Sequence, residues 1–393
     1  MFSIGIDIAK RKHCLAVIGK GGETIIKGFM FSNTTEGFEH LLKKLKAASV
    51  TCENSKVCIE STGHYGRALC SHLIDYGFEV REVNPIMTAN WRKTQTVRKV
   101  KNDAVDALAL AQWARAIPLP GRKLPGKDLE ELKSLARSRT FQMQIISDCK
   151  RKAHAVLDEV FPEYAGFFSD TFGKSSVAVL VKWPSAKEIA HARIDSLTKC
   201  LAEASKNKFG RTKAQELKNL AQSSFAADSK TSSQSLHLKQ LIAQIEFASE
   251  QVTVLDKELA ILFAEAGTQL HTVPGVGPVC GATILGEIGD VERFSNTSQL
   301  VAFAGLDPSV FESGNFKGTK NHISKRGSKY LRWALWIAAD RARMFDPVFK
   351  EFYRKKRAEG KCHKIAICAV ARKLCNTIYA ILRDDKPYTV NKA

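Results

Sequence analysis

Two carboxylates stand three residues apart in Lys101-Asn102-Asp103-Ala104-Val105-Asp106-Ala107, at what reads as the first turn of a helix. That spacing puts both on one helical face. Like charges on one face repel unless a cation lies between them, and a divalent metal held by oxygen ligands meets that need. The competing reading is a plain helix start, in which Asn102 or Asp103 is the cap and the acids complement the positive end of the helix. The rest of the chain has to decide between the two.

A second chemical candidate is a hydroxyl. Phe303-Ala304-Gly305-Leu306-Asp307-Pro308-Ser309-Val310-Phe311-Glu312-Ser313-Gly314 is followed by Lys317, Lys320, His322, Ser324, Lys325, Arg326, Gly327, Ser328, Lys329 and Arg332. A hydroxyl on a glycine-flanked loop beside many cations is placed to attack a phosphodiester, because the cations stabilise both the phosphate and the developing charge. Serine in such a stretch also commonly does no more than shape a turn. A third stretch, Asn90 to Lys101, interleaves Trp91 with Arg92, Lys93, Arg98, Lys99 and Lys101. It suits a phosphate backbone with an aromatic platform beside it, the alternative being a solvated loop. A fourth, His271 to Ala282, contains Pro274-Gly275-Val276-Gly277-Pro278. Gly275 and Gly277 allow the tight turn of a helix-hairpin-helix, whose backbone amides face a phosphate, and a simple connection between helices uses the same residues.

The elements that must carry these groups follow from periodicity. Phe2, Ile4, Ile6 and Ile8 alternate with Ser3, Gly5, Asp7 and Ala9, so a first strand presents Asp7 on the face opposite its isoleucines. Strands over His13 to Ile18 and Thr24 to Phe31 flank a glycine turn and predict an antiparallel meander. A helix capped by Asn33 or Thr34 runs to about Ala48 with Phe38, Leu41, Leu42 and Leu45 as its apolar stripe. Lys56 to Glu60 is a short strand ending in a carboxylate, a helix then stops at Gly77, and Phe78 to Val83 is a fifth strand. The predicted order is β-β-β-α-β-α-β-α.

Pro118, Pro120, Gly121, Pro125 and Gly126 mark a linker. Beyond it, Lys127 to Val160 and Ser235 to Phe263 have the three-and-four spacing of long amphipathic helices that could pair as an antiparallel hairpin or coiled coil. Small helices fill the residues between them, and apolar helices over Tyr330 to Phe345 and Ile365 to Leu382 complete the C-terminal core. The expected domains are 1–120, 121–265 and 266–393.

At 393 residues, with Lys plus Arg at 60, Asp plus Glu at 40 and a net charge of +20, the chain favours a polyanionic partner, nucleic acid first. It shows neither an apolar run of about 18 residues nor a signal-peptide pattern, which predicts a soluble, intracellular protein. Ten cysteines without any Cys-x-x-Cys pair predict reduced thiols, mostly in cores, and the Cys362, His363, Cys368 and Cys375 grouping lacks zinc-site spacing.

Asp7 on the first strand, Glu60 ending the fourth and Asp103 with Asp106 on the following helix resemble the RNase H-like (RuvC-like) fold of nucleases and transposases. More closely, Gly5-Ile6-Asp7-Ile8-Ala9-Lys10, Ile59-Glu60-Ser61-Thr62-Gly63-His64-Tyr65 and Lys101 to Ala107 resemble the signature blocks of the DEDD transposases of bridge-RNA-guided insertion sequences, related to the Piv invertases. Ala304-Gly305-Leu306-Asp307-Pro308, Glu312-Ser313-Gly314 and Ile323-Ser324-Lys325-Arg326-Gly327-Ser328 resemble the family's second signature. The family block reads Lys-Thr-Asp where this chain has Lys101-Asn102-Asp103, a change that spares the acids and alters only a possible cap.

The resemblance implies an α/β catalytic domain followed by helical parts. Asp7, Glu60, Asp103 and Asp106 would hold two Mg²⁺ ions, and a serine, Ser313 with Ser309 as the alternative, would link covalently to DNA. It implies as partners DNA and a structured guide RNA, and a homo-oligomer, dimer or tetramer, in which active sites could be shared between protomers. The expected function is therefore a DNA transposase/recombinase. The alternatives are a metal-dependent junction resolvase using water, and an architectural DNA-binding protein without catalysis.

Overall fold

The computed structural model describes all residues except 61–64, 84–87, 89–90, 92–101, 117–126, 227–230, 309–311, 314–315, 318–321 and 391–393, and gives the backbone alone at 127, 231, 312, 313, 316 and 317. The chain divides into two compact units. Met1–Lys127 with Ile288–Leu300 forms the first, and Asp128–Glu287 with Val301–Ala393 the second.

The first unit is built on strands β1 (Phe2–Asp7), β2 (Lys12–Ile18), β3 (Thr24–Ser32), β4 (Ser55–Glu60) and β5 (Glu79–Val83). Their order is β3-β2-β1-β4-β5: β2 is antiparallel to both β1 and β3, whereas β1, β4 and β5 are parallel. Helices α1 (Thr35–Ala47) and α2 (Arg67–Asp75) cover one face. There Ile4, Ile6, Leu15 and Val17 bury against Leu41, Leu45, Leu69 and Leu73, as the alternation in β1 requires. The Thr34 hydroxyl accepts from the Gly37 amide and caps α1. Gly77, at φ +105°, takes the chain from α2 towards β5.

Helix α3 (Asp103–Ala116) crosses the other face, which is lined by small side chains. A Cβ at Gly5 would collide with the Ala107 carbonyl oxygen and the Ala111 amide nitrogen, and one at Gly28 would lie 2.8 Å from the Ala104 Cβ. Glycine in β1 and β3, with Cys14 and Ala16 in β2, lets the alanine side of α3 settle directly on the sheet. Cys58, Val83, Leu110 and Trp113 close the other flank, with Trp91 packed against them.

In the second unit, α4 (Lys127–Val160) is followed by α5 (Lys174–Lys182), α6 (Ala186–His191), α7 (Ile194–Ser205), α8 (Arg211–Gln222) and α9 (Thr231–Glu265). α4 and α9 run antiparallel. Arg139 pairs with Asp256, the Cys149 thiol donates to Gln244 Oε1 at 3.3 Å, and Gln234 donates to Glu159 Oε2 at 2.6 Å, so contacts advance along one helix as they retreat along the other. The small helices bury Leu180, Leu197, Leu201 and Leu217 with Tyr164 in one core shared with this pair.

The chain continues through α10 (Pro278–Ile288), α11 (Thr297–Ala304), β6 (Glu312–Ser313), β7 (Phe316–Lys317), α12 (Lys329–Phe345), α13 (Pro347–Ala358) and α14 (His363–Asp384). Contrary to the reading of the hydropathy pattern above, α14 is by length and composition apolar enough to cross a membrane. Half of that stretch is buried inside the protein, where Ile367, Val370, Leu374 and Ile378 are fully enclosed beside α12 and α13. The ten cysteines are free, and six of them are buried.

Candidate functional site

Asp7 is the last residue of β1 and pairs with Cys14. The parallel register between β1 and β4 ends at Ile6 opposite Ile59, so the next residue on each strand, Asp7 and Glu60, emerges at the same end of the sheet. Across it, the Asn102 side chain accepts from the Val105 amide at 2.8 Å and the Asn102 carbonyl accepts from the Asp106 amide at 3.0 Å. Asn102 is thus the cap of α3, and Asp103 and Asp106 stand in the first turn of that helix.

Their field reaches Asp7. Its pKa is pushed up to about 6, first by burial and then by Asp106, Asp103 and Glu60. Burial, with Asp103 and Asp7 adding to it, raises the neighbouring Cys14 thiol to about 11. Asp7 has no ion-pair partner among the described residues. The same residues contain no group of three or more His, Cys, Asp or Glu side chains close enough, as they lie, to cage a metal. The donor set nevertheless fits a hard divalent cation, because all four groups are carboxylates and Asp7 carries the electrostatic strain that a cation would relieve.

Two residues to which the sequence reading gave no part in the site brace this end of the sheet. His13, fully buried and tilted against Phe31, accepts the Ala9 amide on Nδ1 at 3.3 Å, and burial lowers its pKa. Asn33, read only as a possible cap, donates to the carbonyls of Lys10 and Tyr65, each at 3.4 Å, and so links the segments that follow Asp7 and Glu60.

Of the basic stretch before α3, Trp91 is half-buried in the cluster with Cys58 and Trp113, a core position. Arg92, Lys93, Arg98, Lys99 and Lys101 lie outside the described residues.

In the second unit Ser313 is on β6, opposite Phe316 of β7. The chain is closed around this pair by two segments, 303–308 and 323–328. Pro308 bridges Ile323, the Ser324 amide donates to the Asp307 carbonyl at 2.8 Å, Lys325 to Gly305 at 3.2 Å and Ser328 to Phe303 at 2.8 Å. Ser324 Oγ also donates to the Asp307 carboxylate. Gly305 and Gly327, both at positive φ, sit where the segments cross, and a Cβ on either would strike the opposite backbone. Lys325 and Arg326 are exposed, and Lys329 opens α12 over the Tyr330 ring at 5.1 Å. Ser309 and Lys320 lie outside the described residues, and Lys317 is described only as backbone.

Gly275, at φ +90°, faces α12 closely enough that a Cβ would come within 2.6 Å of the Ala338 carbonyl oxygen. Gly277 has open space around it. The element before this turn is a short 3-10 helix, Gln269–Thr272, which makes close packing on α12 a sufficient reason for Gly275.

A profile of DEDD transposases of the IS110 type, described as a transposase, matches residues 4–162, and one described as the transposase IS116/IS110/IS902 family matches residues 267–354. Together they span well over half of the chain. It belongs to the IS110 family of DEDD transposases.

The transposase is 25% identical to an insertion element IS116 protein of Streptomyces clavuligerus, over 98% of this chain and 96% of that one. It is 24% identical to the pilin gene-inverting protein of Moraxella bovis, over 98% and 97%. With the transposase for insertion sequence element IS1111A of Coxiella burnetii it shares 32% identity over 30% of this chain and 34% of that one. As a member of this family the chain is an enzyme of DNA transposition and recombination. The first matched region contains all four acids of the transposase, and the second contains Gly275, Gly277 and Ser313.

Proposed function

We propose that this transposase cuts and rejoins the strands of its insertion sequence with Asp7, Glu60, Asp103 and Asp106 as the ligands of Mg²⁺ and Ser313 as the nucleophile. The observation that carries the reading is the placement of Asp7 and Glu60 at the same end of adjacent parallel strands, beside the first turn of α3, where burial and then Asp106, Asp103 and Glu60 raise the pKa of Asp7. Bound there, Mg²⁺ would supply charge neutralisation at the scissile phosphate. The strand order, with β1 and β4 adjacent and α3 across them, supports an RNase H-like catalytic domain.

Ser313 attacks phosphorus through its hydroxyl oxygen. A serine phosphodiester forms as the bond to the leaving sugar oxygen breaks, and the hydroxyl proton ends on the released sugar hydroxyl. A sugar hydroxyl of the second strand reverses the step and frees Ser313, so bond count is conserved without another reactant. Lys325, Arg326 and Lys329, with Lys317 and Lys320, bind phosphate near that step, and Arg92, Lys93, Arg98, Lys99 and Lys101 bind it near the acids. Selection of donor and target by a structured RNA, and assembly as a homo-oligomer, complete the proposal. The net charge of +20 is compatible with both nucleic acids.

The test is a thermal shift. Mg²⁺ should raise the melting temperature of the wild-type protein, and Asp103→Asn or Glu60→Gln should reduce that shift several-fold while leaving the fold intact. An unchanged shift in both variants would remove the acids from the metal site.

A further inference from the structure

The segments that close the chain around β6 and β7 are themselves held from outside, chiefly by Glu287, Arg137 and Arg372, to which neither the family signatures nor the charge pattern draws attention. Glu287, at the end of α10, is 3% exposed. It receives Arg137 of α4 in a two-bond pairing, Nε at 2.6 Å and Nη2 at 3.1 Å. Its Oε2 also accepts the Ser328 hydroxyl at 2.7 Å. Ser328 in turn accepts the Leu331 amide and so caps α12, and its own amide is bonded to Phe303 on the opposite segment. The Arg137 guanidinium lies over the Tyr330 ring at 4.8 Å. On the other side, Arg372 of α14 donates twice to the Leu306 carbonyl, at 3.1 and 2.9 Å, and Arg332 donates to the Ala304 carbonyl at 3.0 Å. A buried carboxylate with a paired guanidinium fixes geometry more than it adds stability, since desolvation offsets much of the attraction.

We infer that Glu287, held by Arg137 and acting through Ser328, is a positioning residue for Ser313. It holds the 323–328 segment against 303–308 and thereby fixes the base from which β6 and β7 project. The inference rests on the Ser313 reading above for its catalytic consequence, but the positioning itself does not depend on it. Through Arg137, and through Arg139 paired with Asp256 one half-turn further along α4, the base of the serine segment is joined to the paired long helices. The long pair therefore has a physical route to the serine.

The experiment uses the full-length protein and a duplex carrying the ends of its own insertion element. Glu287→Gln keeps volume and an acceptor for Ser328 but removes the charge that orders Arg137. Hydrogen exchange at the Glu312, Ser313, Phe316 and Lys317 amides should rise about tenfold while Leu335 to Ala342 inside α12 stay protected. The rate of covalent protein-DNA adduct formation should fall by about tenfold or more with duplex affinity unchanged, since small misplacements of a nucleophile are costly. Arg137→Met should produce the same pair of effects, and the double variant no more than either alone. Unchanged exchange at these four amides overturns the inference, and so does a rise spread uniformly over α12, which marks mere destabilisation. Raised local exchange together with adducts that persist in Ser313→Ala upholds the positioning and rejects Ser313 as the nucleophile.

Discussion

Asp7 gathers the site's electrostatics into one titration. Its carboxyl is shifted upward, from 3.8 to about 6, so the folded state favours the protonated form. The stability this brings is fully present below the unfolded pKa and is lost as pH rises through about 6, where the folded protein must accept the charge. Asp7→Asn should therefore raise the melting temperature at pH 8 in the absence of divalent ions, by an amount equivalent to on the order of 1 kcal/mol after solvent screening. At pH 4 the gain should vanish, and recombination should be lost at any pH; scanning calorimetry at the two pH values checks the first part. Asp7, Glu60, Asp103 and Asp106 could be singled out together in the sequence because their order along predicted elements resembles a known signature, and their role as metal ligands is the proposal made above. The roles of His13 and Asn33 could not be read there, since each depends on which main-chain groups the fold brings to its side chain.

The helix over the acids is an element whose position is set by what the sheet lacks. α3 carries Ala104, Ala107 and Ala111 towards a surface made by Gly5, Cys14, Ala16 and Gly28, and the absence of side chains at the two glycines brings the helix down onto β1. Gly5→Ala should cost about 1–3 kcal/mol by forcing α3 away, measurable as a lower denaturant midpoint, and should abolish activity by moving Asp103 and Asp106 from Asp7. Restored stability without restored activity in a second-site suppressor would separate the two effects. The strands themselves could be read from alternation, and both long helices from their spacing. What periodicity could not reveal was how elements close on one another. Arg372 meets the Leu306 carbonyl across 66 residues and Arg137 meets Glu287 across 150, separations at which no local pattern carries information.

As a whole molecule the transposase is a basic chain in two compact units, with the four acids in one and Ser313 in the other. An excess of twenty positive charges makes counterion release a dominant part of its nucleic-acid affinity. Binding to an element-end duplex should weaken about a thousandfold between 50 and 200 mM salt, and reversing Lys325 and Arg326 to Glu should flatten the slope of log affinity against log salt. On the proposed reading, the division of acids and hydroxyl between units makes the chemistry two-part, with one centre managing charge and the other forming the bond. Mapping the covalent adduct addresses that central claim most directly. The protein is incubated with an element-end duplex and Mg²⁺, trapped by denaturation, digested and sequenced by mass spectrometry. The account predicts a nucleotide on Ser313 that disappears in Ser313→Ala and in Asp7→Ala; a nucleotide on Ser309 or any other residue, or recombination without an adduct, would contradict it.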